Sequence, residues 1–224
     1  MKTVVQALGY GFIVLVVLGL LSFWPAGTFD YWQVWALLAA FAVATIAPSI
    51  YWGVTKPTVV QRRMRAGPAA ETRTVQKLAS TGLFVAFGAL IVVSALDQRF
   101  GWSTLPAAVS VVGLVVVAVG FGIGILAVEQ NSFAAADITV EAEQGVISTG
   151  LYGFVRHPMY FSAVIVMVGI PLALGSYWGL VAVVPGLIVL VLRILDEEQL
   201  LTQELSGYRE YTRQVRYRLL PYLW

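Results

Sequence analysis

The sequence predicts an all-α protein, a polytopic transmembrane helix bundle with five to six spans in a single membrane domain. Hydrophobic residues make up 59% of the 224-residue chain, and charged residues only 12%. Soluble domains contain about 45–50% apolar and about 25% charged residues. The apolar residues are also gathered into long runs, and about 20 of them in succession match the hydrocarbon core of a bilayer.

Four apolar runs are predicted to span the membrane in the amino-terminal part, residues 1–128. They cover residues 4–23, 32–54, 78–96 and 105–128. The first run exceeds the apolar region of about 7–15 residues in a secretory signal, so we interpret it as a retained span. In the fourth run, Gly120 and Gly124 form a small-xxx-small pair, which favours close helix packing over a ligand role.

The carboxy-terminal part, residues 129–224, contains two further apolar runs, 159–174 and 177–195. Only Gly175 and Ser176 separate them, which predicts an antiparallel helical hairpin. The run 159–174 is short for a full crossing of the bilayer, so the predicted number of spans stays at five or six. Between the second and third runs, the polar loop 56–77 has room for one short surface helix.

The positions of the basic residues predict the orientation of the bundle. Cytoplasmic loops of membrane proteins collect Lys and Arg. With both termini cytoplasmic, 13 of the 14 basic residues fall on that side and only Arg99 falls outside. A net charge of +2 does not indicate a nucleic-acid partner, and zero cysteines with one histidine give no basis for a metal site. We expect membrane lipids as the surroundings, and chemistry at the cytoplasmic end.

The only histidine of the chain lies in the stretch 150–160, GLYGFVRHPMY. Pro158 disfavours a helical conformation at His157 and suits the first position of a helix. We therefore expect Arg156 and His157 on a turn, with a helix beginning near Pro158. Its free N–H groups, together with Arg156, would suit a carboxylate. The alternative is a membrane-interface anchor with Arg and Tyr at headgroup level.

A second constellation is Arg193 with Glu197 and Glu198. The spacing of four places Arg193 and Glu197 on one helix face. A charge near the inner end of a span is costly unless it is paired or functional, so Arg193 indicates either an ion pair or a site. Glu198 is expected to point away and to be solvated. In the polar tail, surface contacts with anionic headgroups are expected for Arg209 and Arg213.

Six short motifs follow one another in the last two-fifths of the chain, about residues 130–224. They are Gly150-x-Tyr152, Arg156-His157-Pro158-x-Tyr160, Leu174-Gly175-Ser176, Arg193-x-x-x-Glu197-Glu198, Tyr208-x-x-Tyr211 and Arg218-x-x-Pro221. This ordered set resembles the isoprenylcysteine carboxyl methyltransferase family of integral membrane methyltransferases. The sequence departs from many relatives at Leu151, where they have proline, and at Ser162, where they have glycine. We expect Leu151 to loosen the turn and Ser162 to narrow the site.

The resemblance implies S-adenosyl-L-methionine as the methyl donor, bound at the cytoplasmic face, and a lipophilic acceptor that enters from the bilayer. The positions that match cofactor-binding residues of the family are Gln144, Gly145, Val146, Ile147, Tyr152, His157, Pro158, Met159, Tyr160 and Glu197. Arg193 matches a position that meets the acceptor. A carboxylate acceptor needs a cation to orient it rather than a base, and Arg193 or Arg156 fits that catalytic role through a bidentate contact.

Three alternatives stay open from the sequence. An amine acceptor, as in phospholipid N-methylation, would need a base, and Glu198 is the only spare carboxylate nearby. An NADPH-dependent membrane reductase of the sterol type shares an Arg-His stretch before an aromatic residue, although the Arg193 and Glu197 pair argues against it. In a non-catalytic membrane scaffold, the polar residues would only anchor the bundle.

Overall fold

The computed structural model describes residues 2–65, 67–133 and 144–224, and these ranges contain helices and connecting turns but no strand. Their eight α-helices are α1 (Lys2–Ala26), α2 (Trp32–Thr55), α3 (Pro57–Met64), α4 (Thr74–Phe100), α5 (Ala107–Gln130), α6 (Pro158–Ala173), α7 (Trp178–Glu204) and α8 (Tyr208–Gln214). A single 3-10 turn covers Gly150–Gly153. The predicted all-α bundle is confirmed.

Within the described ranges, five helices are long and apolar enough to cross a bilayer: α1, α2, α4, α5 and α7. The sixth apolar helix, α6, has 16 residues. At 1.5 Å per residue it is about 24 Å long, less than the roughly 30 Å of a hydrocarbon core. The expected short fifth run is thus confirmed, and α3 is the surface helix expected in the polar loop.

The closest helix associations are between α5 and α6 and between α4 and α7. Helix α1 packs on α2 and α4, and α2 also contacts α5. Fully buried side chains from four of these elements meet in the middle of the bundle: Val34, Leu90, Ile91, Val117 and Ile170. Because successive spans reverse direction, the polar connections gather at the two ends of the bundle.

Close packing of α5 on α6 depends on glycine. A Cβ at Gly120 would lie 2.7 Å from Cγ2 of Val166, and one at Gly124 would lie 2.7 Å from the hydroxyl of Ser162. That hydroxyl donates a 2.7 Å hydrogen bond to the carbonyl of Gly120. The packing role predicted for the two glycines is confirmed. The side chain of Ser162 thus faces α5, and the expectation that it narrows the functional site stays a prediction.

Replacement of Gly120 by leucine is expected to separate α5 from α6 and to lower the free energy of unfolding by about 1–3 kcal/mol, the usual cost of overpacking. Gly122→Leu is the matched control, since a Cβ at Gly122 meets nothing within 4 Å. Unfolding in detergent titrated with dodecyl sulfate measures both. Equal stability of the two variants would contradict the packing assignment.

The turn between α6 and α7 is fixed by a buried carboxylate at the end of α4. Asp97 Oδ2 accepts hydrogen bonds from the hydroxyls of Ser176, at 2.5 Å, and Ser103, at 2.7 Å. The hydroxyl of Tyr31 donates to the carbonyl of Leu174 at 2.6 Å. Gly175 adopts φ +72°, a left-handed conformation that closes the turn. The predicted helical hairpin is therefore confirmed, and α4 and the start of α2 hold it in place.

Candidate functional site

The turn before α6 has the conformation that its sequence predicts. His157 is non-helical, with φ −124° and ψ 62°, and α6 begins at Pro158. The backbone amides of Arg156 and His157 each donate a 2.9 Å hydrogen bond to the tail, to the carbonyls of Tyr217 and Arg218. The polar tail is thus docked along the turn, and both segments face the last third of α7.

Glu198 is the centre of the charged cluster under this turn. Its Oε1 accepts a 2.6 Å hydrogen bond from Nε of Arg156 and lies 3.3 Å from Nε2 of His157. Its Oε2 accepts a 2.7 Å bond from Nε of Arg218. The prediction that Glu198 points away and is solvated is wrong. The carboxylate is buried, and it joins the turn, α7 and the tail because side chains from all three meet on it.

Glu197 lies on the other side of the same turn and is more accessible. Its side chain is 20% exposed, against 11% for Glu198. Its Oε2 accepts a 2.5 Å hydrogen bond from the hydroxyl of Tyr160, and its Oε1 lies 4.0 Å from Nδ1 of His157. The His157 ring stacks on the Tyr160 ring, with centroids 5.5 Å apart. Three predicted site residues, His157, Tyr160 and Glu197, are therefore in mutual contact.

Arg193 is buried, and its guanidinium has partners that the sequence reading missed. Nη2 forms a 2.7 Å ion pair with Glu71, Nη1 donates to Gln76 at 3.0 Å, and Nε donates to Tyr160 at 3.0 Å. The ion pair is with Glu71 rather than with Glu197. One signal could have found this partner, since Glu71 is the only acidic residue in the basic loop 56–77.

The contacts of Arg156 hold the tail. Besides Glu198, Nη1 of Arg156 donates to the carbonyls of Val215 and Arg216, each at 2.9 Å. The side chain is buried among these partners. Arg156 is therefore placed to hold together parts of the site that are far apart in sequence.

Tyr152 and the segment before it form the opposite wall. Tyr152 is buried in the 3-10 turn, and its carbonyl accepts a 2.7 Å hydrogen bond from the hydroxyl of Tyr211. The amide of Leu151 donates to the side chain of Gln130 at 2.8 Å, so the turn is fixed there. The pKa of Tyr152 is raised to about 12, mainly by burial; the charge of Glu197 contributes to the rise, while Asn131 and Arg63 oppose it.

The remaining predicted cofactor positions lie around this wall. Val146 packs with Leu205 and Tyr208, which places the segment Gln144, Gly145, Val146 and Ile147 beside α8. Met159 packs against the cluster that joins α3 to α5. Three acidic residues of the polar segment between α5 and the 3-10 turn, Asp137, Glu141 and Glu143, lie outside the described residues.

The match with known families falls on this same region. Residues 108–208 match the phospholipid methyltransferase family. The match covers somewhat less than half of the chain, from the start of α5 to the start of α8, and includes the His157 turn and the glutamates Glu197 and Glu198 of α7. This part of the chain therefore carries the pattern of membrane methyltransferases, and with the apolar helices it indicates an integral membrane protein. No curated protein matches the chain.

At this methyltransferase-like end, two buried polar atoms among the described residues have no hydrogen-bond partner. They are Nη1 of Arg63, on α3, and the hydroxyl of Tyr208, at the start of α8. Burial raises the pKa of Tyr208, and the nearby charges of Glu198 and Glu197 raise it further. Buried polar groups are normally satisfied, so both atoms are candidates for contact with a bound polar molecule.

An apolar cavity of about 160 Å³ lies beside the turn. Its lining comes from α5, the 3-10 turn, α6 and the tail: Ile123, Leu151, Phe154, Val155, Pro158, Phe161 and Pro221. Pro158, next to His157 of the polar cluster, is part of this lining. The site thus has a polar side, at Glu197, and an apolar side that faces the helices.

Proposed function

We propose that the chain transfers a methyl group from S-adenosyl-L-methionine to a lipophilic acceptor, and that the acceptor atom is a carboxylate oxygen of an isoprenylcysteine-like or other lipid-soluble molecule. The observation that carries this proposal is the 4.0 Å approach of His157 to Glu197 inside the region that matches membrane methyltransferases. The polar cluster around Glu197 lies next to an apolar cavity that Pro158 helps to line, and a polar donor with a lipid acceptor requires such a combination.

The residues present fit the amino-acid end of the donor. An ammonium needs a carboxylate within reach, and Glu197 is the accessible one. The unpartnered hydroxyl of Tyr208 lies close enough to Glu197 for that charge to affect its pKa. The donor supplies a methyl group already activated on a sulfonium. The chain therefore needs to align the reactants rather than to move protons, and alignment can contribute about 7–11 kcal/mol.

The environment of the carboxylates favours an oxygen acceptor over an amine. A protonated amine needs a base, and the sequence offered only Glu198 for that role. Glu198 accepts hydrogen bonds from Arg156 and Arg218 and lies beside His157. A carboxylate held by cations is a weak base, because each of them favours its charged form. A carboxylate acceptor needs no base near neutral pH.

We propose Arg193 as the cation that orients the acceptor carboxylate. Glu71 and Gln76 hold its guanidinium in one orientation, beside Tyr160. Such pre-organisation is what a planar, bidentate contact requires. We assign Arg156 a positioning role instead, since its contacts join the turn to the tail.

Arg193→Lys is expected to raise the KM for the acceptor about tenfold or more, because the lysine keeps a charge but loses the bidentate geometry. The affinity for S-adenosylhomocysteine is expected to stay unchanged. Initial rates over a range of acceptor concentrations, together with calorimetry, measure the two quantities. An unchanged acceptor KM would contradict the orienting role.

We also propose that the site faces the cytoplasm. The site end of the bundle carries Lys56, which pairs with Glu129, and Arg73, which donates to Asp196 at 2.8 Å. Arg156, Arg193 and Arg218 lie at the same end. The opposite end carries Arg99, and the excess of basic residues therefore supports a cytoplasmic site.

The decisive experiment is transfer of labelled methyl from S-adenosyl-L-methionine to a total lipid and protein extract by the purified chain. We expect a labelled lipophilic product that releases volatile methanol in alkali, as a methyl ester does. Label that resists alkali would indicate an amine acceptor. Absence of transfer, with oxidation of NADPH by the same preparation, would contradict the methyltransferase proposal.

A further inference from the structure

The short helix α3 is clamped over the end of α5. Lys56, just before α3, pairs with Glu129, which also accepts a 2.7 Å hydrogen bond from Nε1 of Trp52. Nη1 of Arg62 donates to the carbonyl of Ser132 at 2.9 Å. These contacts fix α3 at both ends, so its side chains have defined directions.

Apolar contacts complete this clamp. Val59 and Val60 are buried in one cluster with Val128, and Met64 packs on the same cluster. Met159, in the first turn of α6, belongs to it as well. This apolar cluster therefore links α3 to Met159, two residues after His157.

Arg63 follows Arg62 on this clamped helix. Its Nη1 is buried and has no hydrogen-bond partner among the residues that the structure describes. Arginine stays protonated in proteins, and leaving one of its buried N–H donors without a partner is unfavourable. Burial accordingly lowers its pKa, while the neighbouring phenol of Tyr152 opposes that shift. A cation held in such a place indicates an anionic ligand.

Tyr152 connects Arg63 to the acidic side of the site. Its phenol is within electrostatic reach of both Arg63 and Glu197, and the side chain of Asn131 also bears on it. A cation and a carboxylate thus both act on one buried phenol. The two charges suit a zwitterion that carries its ammonium and its carboxylate on the same carbon.

We propose that Arg63 binds the carboxylate of the amino-acid end of the methyl donor while Glu197 binds its ammonium. The inference rests on the proposed function and adds a residue outside the matched region 108–208. The donor fits better than the acceptor because its two charges are adjacent and need a cation close to Glu197. The acceptor, by contrast, enters from the apolar side, where Pro158 and Phe161 line the cavity.

Calorimetry with two ligands tests this assignment. S-adenosylhomocysteine has the amino-acid end, and 5′-methylthioadenosine lacks it. We expect Arg63→Gln to raise the Kd for S-adenosylhomocysteine tenfold or more and to leave the Kd for 5′-methylthioadenosine unchanged. Arg63→Lys is expected to give an intermediate value. Arg213→Gln, on the exposed face of α8, removes the same charge and serves as the control.

Each other outcome is informative. Equal affinity of wild type and Arg63→Gln for S-adenosylhomocysteine would overturn the assignment while leaving the proposed function intact. If Arg63→Gln raises the KM for the acceptor and leaves the donor affinity unchanged, Arg63 contacts the acceptor and the assignment is overturned. Failure of the wild type to bind either ligand would instead contradict the proposed function.

If Arg63→Gln does not fold, a measurement on the wild-type chain still tests the assignment. The wild-type chain is expected to bind decarboxylated S-adenosylhomocysteine at least tenfold more weakly than the intact compound. Equal binding of the two would overturn a carboxylate contact of any kind.

Discussion

Glu198→Ala is expected to lower the free energy of unfolding by about 3–5 kcal/mol, the cost of breaking a buried ion pair from one side. The substitution leaves Arg156 buried without its carboxylate and releases Arg218 and His157 as well. Because these partners belong to the turn before α6 and to the tail, the tail is expected to detach from α7. Unfolding in detergent titrated with dodecyl sulfate measures the loss.

The matched control is Glu204→Ala, which removes an exposed carboxylate from the end of the same helix. Surface substitutions of this kind usually change stability by about 0.5 kcal/mol or less. Limited proteolysis adds a local readout, because a detached tail exposes Tyr217 and its neighbours. If Glu198→Ala and the wild type unfold at the same proportion of dodecyl sulfate, Glu198 does not hold the three segments together as its contacts indicate.

Glu197→Gln is expected to have the opposite profile, with stability retained and donor binding lost. A hydrogen bond to a charged group contributes about 1.5–3 kcal/mol, and each 1.4 kcal/mol corresponds to about tenfold in affinity. The Kd for S-adenosylhomocysteine should therefore rise about ten- to a hundredfold. The glutamine keeps an oxygen for the hydroxyl of Tyr160, so the thermal midpoint should change little.

Glu210→Gln provides the control for that measurement, since Glu210 lies exposed on α8. Calorimetry gives both affinities, and thermal unfolding shows whether either variant is damaged. An unchanged affinity of Glu197→Gln for S-adenosylhomocysteine would show that Glu197 does not bind the donor. A large loss of stability in that variant would show that the carboxylate holds structure rather than ligand.

The sequence predicted the bundle and the local turn because both depend on short-range patterns. Apolar runs of membrane length became helices, and the sequence Arg-His-Pro placed His157 before the first turn of α6. The glycines of α5 were also predicted correctly, since small-xxx-small spacing has one common use in membrane helices. These features require no knowledge of which distant segments meet.

The partners of the charged residues could not be predicted in the same way. A helical spacing of four predicted a pair of Arg193 with Glu197. The guanidinium instead forms its ion pair with the distant loop residue Glu71, because α4 packs on α7. Glu198 looked solvated on its own helix, and the tail that covers it lies about twenty residues further along. Arg63 was one of several arginines in a basic loop, and only the docking of α3 distinguishes it.

The central claim is that the His157 turn and the end of α7 form one pocket for a sulfonium donor beside the hydrocarbon phase. Calorimetric titration of the purified chain with S-adenosylhomocysteine, and separately with NADPH, tests it most directly. We predict saturable binding of one S-adenosylhomocysteine per chain and no binding of NADPH. Binding of NADPH without binding of S-adenosylhomocysteine, or binding of neither, would contradict the account.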